Sequence, residues 1–267
     1  MELFLFYKLS FIVATLSAGS LSLIGKHFLS RGNILEIFLL SQLAILGNLL
    51  SRLFFHHGET SLINIGSSYL LFGTGKFLLH RLKISNFEKG TFMVGGYLFL
   101  VSLQYLIIGY FPKLDSHMSI GFFGNMVTAS RIENILSIVI FVLFILFYIL
   151  GKTKINKRTI EINILGEKDN SKFDLLIFTL PLISSLYGLG FLYTMSFLLL
   201  PSLMIGKLFH SEKVASFYIV LISVISSILG LALSISFERL STSSLQISLL
   251  TLILFICNQI KKLNLRN

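Results

Sequence analysis

A glycine-rich stretch in the middle of the sequence is the first feature that could do chemistry, because such stretches can bind nucleotide phosphates. Its residues are Gly73, Thr74, Gly75, Lys76 and Phe77. A phosphate-binding loop needs an earlier glycine at a fixed spacing and a serine or threonine directly after the lysine. Here phenylalanine follows Lys76, the earlier glycine is missing, and the stretch lies in an apolar run. We therefore predict no nucleotide site in this chain.

Carboxylates and imidazoles are the groups that would transfer protons or bind metal inside a membrane. The three aspartates fall in loops or at a helix edge, at Asp115, Asp169 and Asp174. The six histidines fall near the ends of apolar runs, at His27, His56, His57, His80, His117 and His210. Neither set places a pair deep in a bilayer, as proton-coupled transport or intramembrane proteolysis would require. We predict that the chain is not an enzyme.

One histidine pair, His56 and His57, lies between two apolar runs and precedes Glu59. These side chains could gather metal at an entrance, or they could be ordinary solvated loop residues. Both alternatives stay open. Cys257 is the only cysteine, so no disulfide can form within the chain.

The elements that position these residues follow from an apolar composition. Hydrophobic residues make up 54% of the chain and charged residues 13%, with a mean hydropathy of +0.85. A helix needs roughly 20 apolar residues to cross a bilayer. Long runs without alternation indicate helices, and we predict an all-α polytopic membrane protein with residues 1–267 in a single transmembrane domain. The apolar runs cover residues 9–25, 34–55, 61–80, 91–112, 132–151, 173–187, 189–206, 214–237 and 243–260.

The net charge of +10 is explained by membrane topology, because the basic residues lie between the apolar runs. Basic residues near helix ends are retained in the cytoplasm. The stretch Lys152–Lys172 is the most basic and is predicted to be a cytoplasmic loop. Alternation then places the predicted loop Lys26–Arg31 and the C-terminal tail in the cytoplasm. We expect no nucleic-acid partner; the lipid bilayer surrounds the chain.

Residues 173–206 form an apolar block of about 34 residues, which is too long for a single span. The block must cross twice if the tail is to stay in the cytoplasm. Gly188 and Gly190 provide the turn, and Pro201 is expected to interrupt the second half. The sequence thus predicts about nine transmembrane helices (eight or nine), one of them broken or re-entrant.

Four stretches, spread over residues 25–243, share their order and spacing with one protein family. Their anchor residues are Gly25, Arg31 and Gly47 in the first stretch, Gly124 in the second, Gly190 and Pro201 in the third, and Gly230 in the fourth. Each stretch alone is a weak signal, since glycine and leucine are common in membrane helices. Together they resemble the ABC-3 type permease subunits of the bacterial importers for zinc, manganese and iron, which belong to the type II ABC importers.

The resemblance implies a dimeric permease in the bacterial cytoplasmic membrane, with a second copy or a paralogous permease as its partner. It implies cytoplasmic ATPase subunits that use ATP and magnesium, and an extracytoplasmic metal-binding protein. The chain itself would bind no cofactor, and zinc or manganese would be its cargo. A short ATPase-coupling helix is expected between Ile160 and Gly166, with Glu161 and Gly166 as its matching residues. An ordinary basic loop explains the same segment equally well.

The second predicted helix departs from the family pattern. Gln42 stands where the family carries histidine, and Phe38 stands where it carries aspartate. An amide is a poorer ligand than imidazole for zinc, and phenylalanine is no ligand. Glu36 lies about 200° around the helix from Phe38, so it does not simply replace the missing carboxylate.

Three accounts of this departure stay open. The path could need few protein ligands, with Gln42, Ser41 and Glu36 supplying oxygen atoms. The cargo could instead be a chelate or another solute. Or two unlike permeases could pair, and the partner would supply the ligands. The alternative function is a degenerate permease-like component that pairs with another permease or carries a non-metal or chelated substrate.

Overall fold

The computed structural model describes residues 7–54, 61–81, 86–114, 122, 124, 131–165, 172–206, 208–209, 211–237 and 241–264. These residues form nine α-helices and one short 3-10 helix, Pro112–Leu114. The α-helices are α1 (Lys8–Ser30), α2 (Ile34–Phe54), α3 (Ser61–Arg81), α4 (Asn86–Tyr110), α5 (Arg131–Leu165), α6 (Lys172–Gly188), α7 (Phe191–Ile205), α8 (Glu212–Ser236) and α9 (Thr242–Asn264).

The helices coincide with the apolar runs of the sequence. Among the described residues, six helices are long and apolar enough to cross a membrane. They are α1, α2, α4, α5, α8 and α9. The shorter α6 and α7 are also apolar. Each predicted run overlaps one helix. In lipid, a helix satisfies the hydrogen-bonding groups of its own backbone. The predicted all-α polytopic membrane fold is therefore confirmed.

The chain divides into two compact units. Residues Asn33–Phe122 form the first, which contains α2, α3 and α4 and is called the three-helix unit below. Residues Met1–Gly32 and Phe123–Asn267 form the second, the six-helix unit, with α1 and α5 to α9. Whether they act as a single transmembrane domain stays a prediction.

Helix α2 is the centre of the three-helix unit and contacts both α3 and α4. Gly47 allows α3 to approach closely, because a Cβ there would lie 2.7 Å from the carbonyl oxygen of Ser67. At Gly96 of α4, a Cβ would lie 2.9 Å from a methyl group of Leu39. Small residues at these contacts let membrane helices pack backbone to backbone. The result is a buried face on α2 that carries Gln42.

Helix α1 runs through the six-helix unit and contacts α5, α7 and α8. A Cβ on Gly25 would overlap the backbone carbonyl of Leu198 in α7. At Gly230 in α8, a Cβ would lie 2.5 Å from the Cα atom of Gln246 in α9. Both glycines belong to the sequence stretches that suggested a family resemblance. In this fold they set the spacing between helices.

The break between α6 and α7 falls at the predicted turn. Helix α6 ends at Gly188, and Gly190 has a φ of 87°, which favours glycine. The expected interruption at Pro201 is wrong, because α7 continues through this residue to Ile205. At 1.5 Å per residue the 15 residues of α7 extend about 22 Å, less than the roughly 30 Å of a hydrocarbon core. Gly124, with a φ of 69°, packs against the carbonyl of Leu189 at this break.

The predicted loop Lys152–Lys172 is largely helical, which corrects the sequence interpretation. Helix α5 has 35 residues and ends only at Leu165. The added segment contains neither glycine nor proline, and its lysines and arginine are good helix formers. Ile155 and Thr159, one turn apart, are buried and hold the segment against the unit. Likewise, most of the predicted loop Lys26–Arg31 is the last turn of α1.

Candidate functional site

Two buried glutamines meet inside the three-helix unit. Gln42 of α2 and Gln104 of α4 are both 0% exposed. The Nε2 atom of Gln104 donates to the backbone carbonyl of Gln42 at 2.9 Å and to Oε1 of Gln42 at 3.2 Å. The Nε2 atom of Gln42 and the Oε1 atom of Gln104 have no hydrogen-bond partner among the described residues. Because an unsatisfied buried polar group costs about 1–3 kcal/mol, this pair is a place where a polar species would bind favourably.

The amide pair offers oxygen atoms to a ligand. An amide oxygen has two lone pairs, so Oε1 of Gln42 can accept a second contact beside the bond from Gln104. Carbonyl and amide oxygens suit hard cations such as manganese, magnesium and calcium, whereas zinc prefers nitrogen and sulfur ligands. The oxygen atoms of this pair suit a hard cation better than zinc, whereas the unpartnered Nε2 of Gln42 is a donor and needs an acceptor. Gln42 was predicted from the sequence as a path residue, whereas Gln104 was not. The available signal for Gln104 was a lone amide inside an apolar run.

The neighbours of Gln42 on α2 add one further oxygen. Ser41 is fully buried, and its hydroxyl donates to the carbonyl of Ile37 at 2.7 Å. Its oxygen keeps the capacity to accept. Phe38, one turn before Gln42, meets the ring of Tyr97 edge to face with centroids 6.1 Å apart. Phe38 thus makes an aromatic contact at the position where the family that the sequence resembles carries aspartate.

Glu36 lies at the start of α2 and is the third predicted path residue. Its carboxylate is bonded to the ammonium group of Lys76 in α3. The other carboxylate oxygen lies 3.6 Å from Nζ of Lys89 in α4. The structure therefore places two cations on the one carboxylate that was predicted to offer oxygen atoms to cargo. Lys76 was predicted from the sequence to lie inside a helix, but its pairing with Glu36 was not predicted.

A separate polar cluster in the six-helix unit holds the end of α1 on α5. His27 contacts Thr159 Oγ1 through Nδ1 at 3.0 Å and the Tyr148 hydroxyl through Nε2 at 3.1 Å. Arg31 donates to the same threonine oxygen at 3.2 Å, and its guanidinium lies 5.5 Å from the Phe178 ring centroid. Both ring nitrogens of His27 are engaged, so this buried histidine positions helices and is no available metal ligand.

Among the other residues predicted for coupling or metal binding, the structure describes Glu161. Glu161 lies on the extension of α5, 3.9 Å from Lys157 one turn away. Gly166, His56 and His57 lie outside the described residues. Among the residues that the structure does describe, no group of three or more histidine, cysteine, aspartate or glutamate side chains could hold a metal ion.

Comparison with known proteins gives a match in structure and none in sequence. No protein-family model matches the chain, and no curated protein matches it in sequence. Its structure is similar to a chain of PsaBC from Streptococcus pneumoniae, solved in complex with a Fab, with a TM-score of 0.77. The match covers 100% of this chain and 96% of that chain at 17% sequence identity. The chain therefore has the fold of that protein along its whole length.

Proposed function

We propose that the chain is the transmembrane permease subunit of an ABC importer for divalent metal ions. The observation that carries this proposal is the buried pair of Gln42 and Gln104, whose unsatisfied amide atoms lie inside a membrane helix unit. The similarity of the whole fold to a PsaBC chain and the four sequence stretches support the same function. Zinc, manganese and iron are the candidate metals.

The proposed path follows the buried face of α2. Cargo would meet Gln42 and Ser41 in the middle of the helix and Glu36 at its start. Oxygen ligands of this kind favour manganese over zinc. The few ligands provide weak binding, which suits transit, and the separate metal-binding protein would then supply most of the selectivity. Alternating access of the permease would move the ion inward.

The energy for this movement would come from partner subunits. ATP and magnesium would be used by cytoplasmic ATPase subunits, and the chain itself would hydrolyse nothing. A second copy of the chain or a paralogous permease would complete the dimer. The extension of α5 carries Glu161, and with Gly166 it would contact the ATPase if the tail faces the cytoplasm. The bacterial cytoplasmic membrane is the proposed location.

One observation favours a second candidate function. Glu36 is already paired with Lys76 and Lys89, and the amide pair is uncharged, so the described part of the three-helix unit presents a net positive charge to cargo along α2. Such a lining suits a chelate or another non-cationic solute better than a bare cation. In this alternative the chain carries that solute, or it pairs with another permease that supplies the metal ligands.

The proposal is tested by measuring metals in cells that lack the gene. Deletion is expected to lower cellular manganese, zinc or iron when the metal is scarce, measured by mass spectrometry of washed cells. Restoring the gene should restore the metal content, and excess metal in the medium should remove the difference. Unchanged contents of all three metals under scarcity would contradict the proposal and favour the second candidate.

A further inference from the structure

A cavity of about 360 Å³ lies in the six-helix unit, where α1 ends and α8 begins, and is called the α1–α8 cavity. It is bounded by the last turns of α1 and α7 and the first turns of α8. Sites that bind small molecules have volumes of roughly 300–1,000 Å³, so the cavity is large enough for a ligand. It shares no residue with the α2 path proposed above. Its lining includes the charged Lys26 and Glu212 and the apolar Leu29, Leu203, Phe209 and Ile219.

The two charged side chains form an ion pair that leaves bonding capacity on both partners. Nζ of Lys26 donates to Oε1 of Glu212 at 2.7 Å and to Oγ of Ser216 at 2.8 Å. An ammonium group has three N–H donors, so one donor remains. Among the described residues the pair uses only Oε1 of Glu212, and this side chain is 54% exposed. A ligand that carries both an anionic acceptor and a cationic donor can therefore add to the pair without breaking it.

The apolar wall of the cavity continues onto the outer surface of α8. The ring of Phe209 stacks on the ring of Tyr218 with centroids 4.7 Å apart. Tyr218 and its neighbours Phe217 and Leu221 are large apolar side chains that are exposed on α8, a helix long enough to cross a membrane. Exposed apolar patches of this kind mark surfaces that contact membranes or other proteins, and tyrosine is enriched where a membrane meets water. The wall thus joins a surface suited to acyl chains.

The charges beside the cavity match one class of lipid headgroup. A phosphate can accept from the remaining N–H of Lys26, and a primary ammonium group can donate to Oε2 of Glu212. Charge-assisted hydrogen bonds of this kind are stronger than neutral ones. A choline headgroup has no N–H to donate, and a glycerol headgroup has no positive charge. A phospholipid with a primary amine is therefore the best complement to this pair.

We propose that the α1–α8 cavity binds a phosphatidylethanolamine lipid from the leaflet at this end of the helices. Lys26 holds the phosphate, Glu212 holds the ammonium group, and Leu29, Leu203 and Phe209 contact the upper part of an acyl chain. The bound lipid joins the end of α1 to the start of α8. This inference goes beyond the proposed function and does not depend on it, because it involves neither metal nor the three-helix unit.

The proposal is tested with a fluorescent reporter beside the cavity wall. The chain contains no tryptophan, so Tyr218→Trp introduces a single one next to Phe209 without changing the lining. The purified full-length variant is reconstituted into phosphatidylcholine vesicles with a small fixed fraction of lipid brominated on its acyl chains, which quenches a neighbouring tryptophan. Brominated phosphatidylethanolamine is expected to quench with an apparent affinity about fivefold higher than brominated phosphatidylcholine or phosphatidylglycerol.

A second reporter is the control for ordinary contact with the bilayer. Phe255 of α9 is 57% exposed and does not line the cavity. In Phe255→Trp the three brominated lipids should quench equally. With the Tyr218→Trp reporter, equal quenching by all three lipids would overturn the proposal. Quenching by phosphatidylglycerol as strong as that by phosphatidylethanolamine would also overturn it, because Glu212 would then have no role.

A matched variant tests the carboxylate directly. Glu212→Gln, made in the Tyr218→Trp chain, keeps the size of the side chain and removes its charge. It should bind phosphatidylethanolamine and phosphatidylcholine equally, because the ammonium group has lost its counter-ion. A preference for phosphatidylethanolamine that survives in Glu212→Gln would contradict the assignment.

The outcome is separate from that of the proposed function. A preference for phosphatidylethanolamine, in a protein whose deletion leaves cellular metals unchanged, would support the lipid site and reject metal import. Equal quenching by the three lipids together with lowered cellular metal would reject the lipid site and keep metal import.

Discussion

Replacing Gln42 by histidine is expected to shift uptake from manganese towards zinc, by about tenfold in the ratio of the two rates. The change exchanges an amide oxygen for an imidazole nitrogen at a fully buried position of α2. Imidazole is a preferred zinc ligand, and a preference of about 1.4 kcal/mol corresponds to a factor of ten. The measurement is the uptake of radioactive zinc and manganese by cells that lack the native gene and express the variant.

Two further variants show whether the amide pair itself lies on the path. Gln42→Ala removes the side chain and should lower the uptake of both metals. Gln104→Leu removes the unsatisfied Oε1 atom together with the two hydrogen bonds that Nε2 donates to Gln42, and it should do the same. Membrane levels of each variant are compared by immunoblot. An unchanged zinc-to-manganese ratio in Gln42→His, with uptake by Gln42→Ala equal to the parent, would remove Gln42 from the path.

Replacing Gly25 by alanine is expected to destabilise the protein by about 3 kcal/mol. The added Cβ would overlap the backbone carbonyl of Leu198, so α1 and α7 would have to move apart. Backbone atoms cannot rotate away as a flexible side chain can. The loss should appear as a lower melting temperature of the detergent-solubilised protein, followed by circular dichroism of the helical signal.

Gly73→Ala is the matched control for this prediction. Gly73 is also a helical glycine, but nothing lies within 4 Å of a Cβ placed there. Alanine costs less backbone entropy than glycine, so the control should be neutral or more stable by about 0.5–1 kcal/mol. Equal melting temperatures for the two variants would show that α1 and α7 are not in contact at Gly25.

The helices were predictable because their signals are local. Each apolar run is long enough to form a span, and the turn at Gly190 follows from a glycine in an overlong apolar block. The extension of α5 was missed because its surface is basic, and charge alone suggested a loop. The spacing of Ile155 and Thr159 by one turn was the available sign of a buried helical face. The predicted interruption of the helix at Pro201 did not occur, since neighbouring helices let α7 continue past this residue.

The candidate site was only partly predictable, because its contacts join residues far apart in the sequence. The departure at Gln42 was visible in one helix, but its partner Gln104 lies 62 residues later. Glu36 and Lys76 are separated by 40 residues, and neither helix alone indicates the ion pair. Spacing within a helix says which face a side chain occupies, whereas the pairing depends on how α2, α3 and α4 pack.

The most direct test of metal import is transport by the purified complex. The chain is purified together with the ATPase subunits that accompany it and is reconstituted into lipid vesicles with manganese, zinc or iron on the side of the binding protein. We expect at least manganese to accumulate across the membrane when ATP is supplied, and a non-hydrolysable ATP analogue to prevent this. A complex that hydrolyses ATP and accumulates none of the three metals would contradict it.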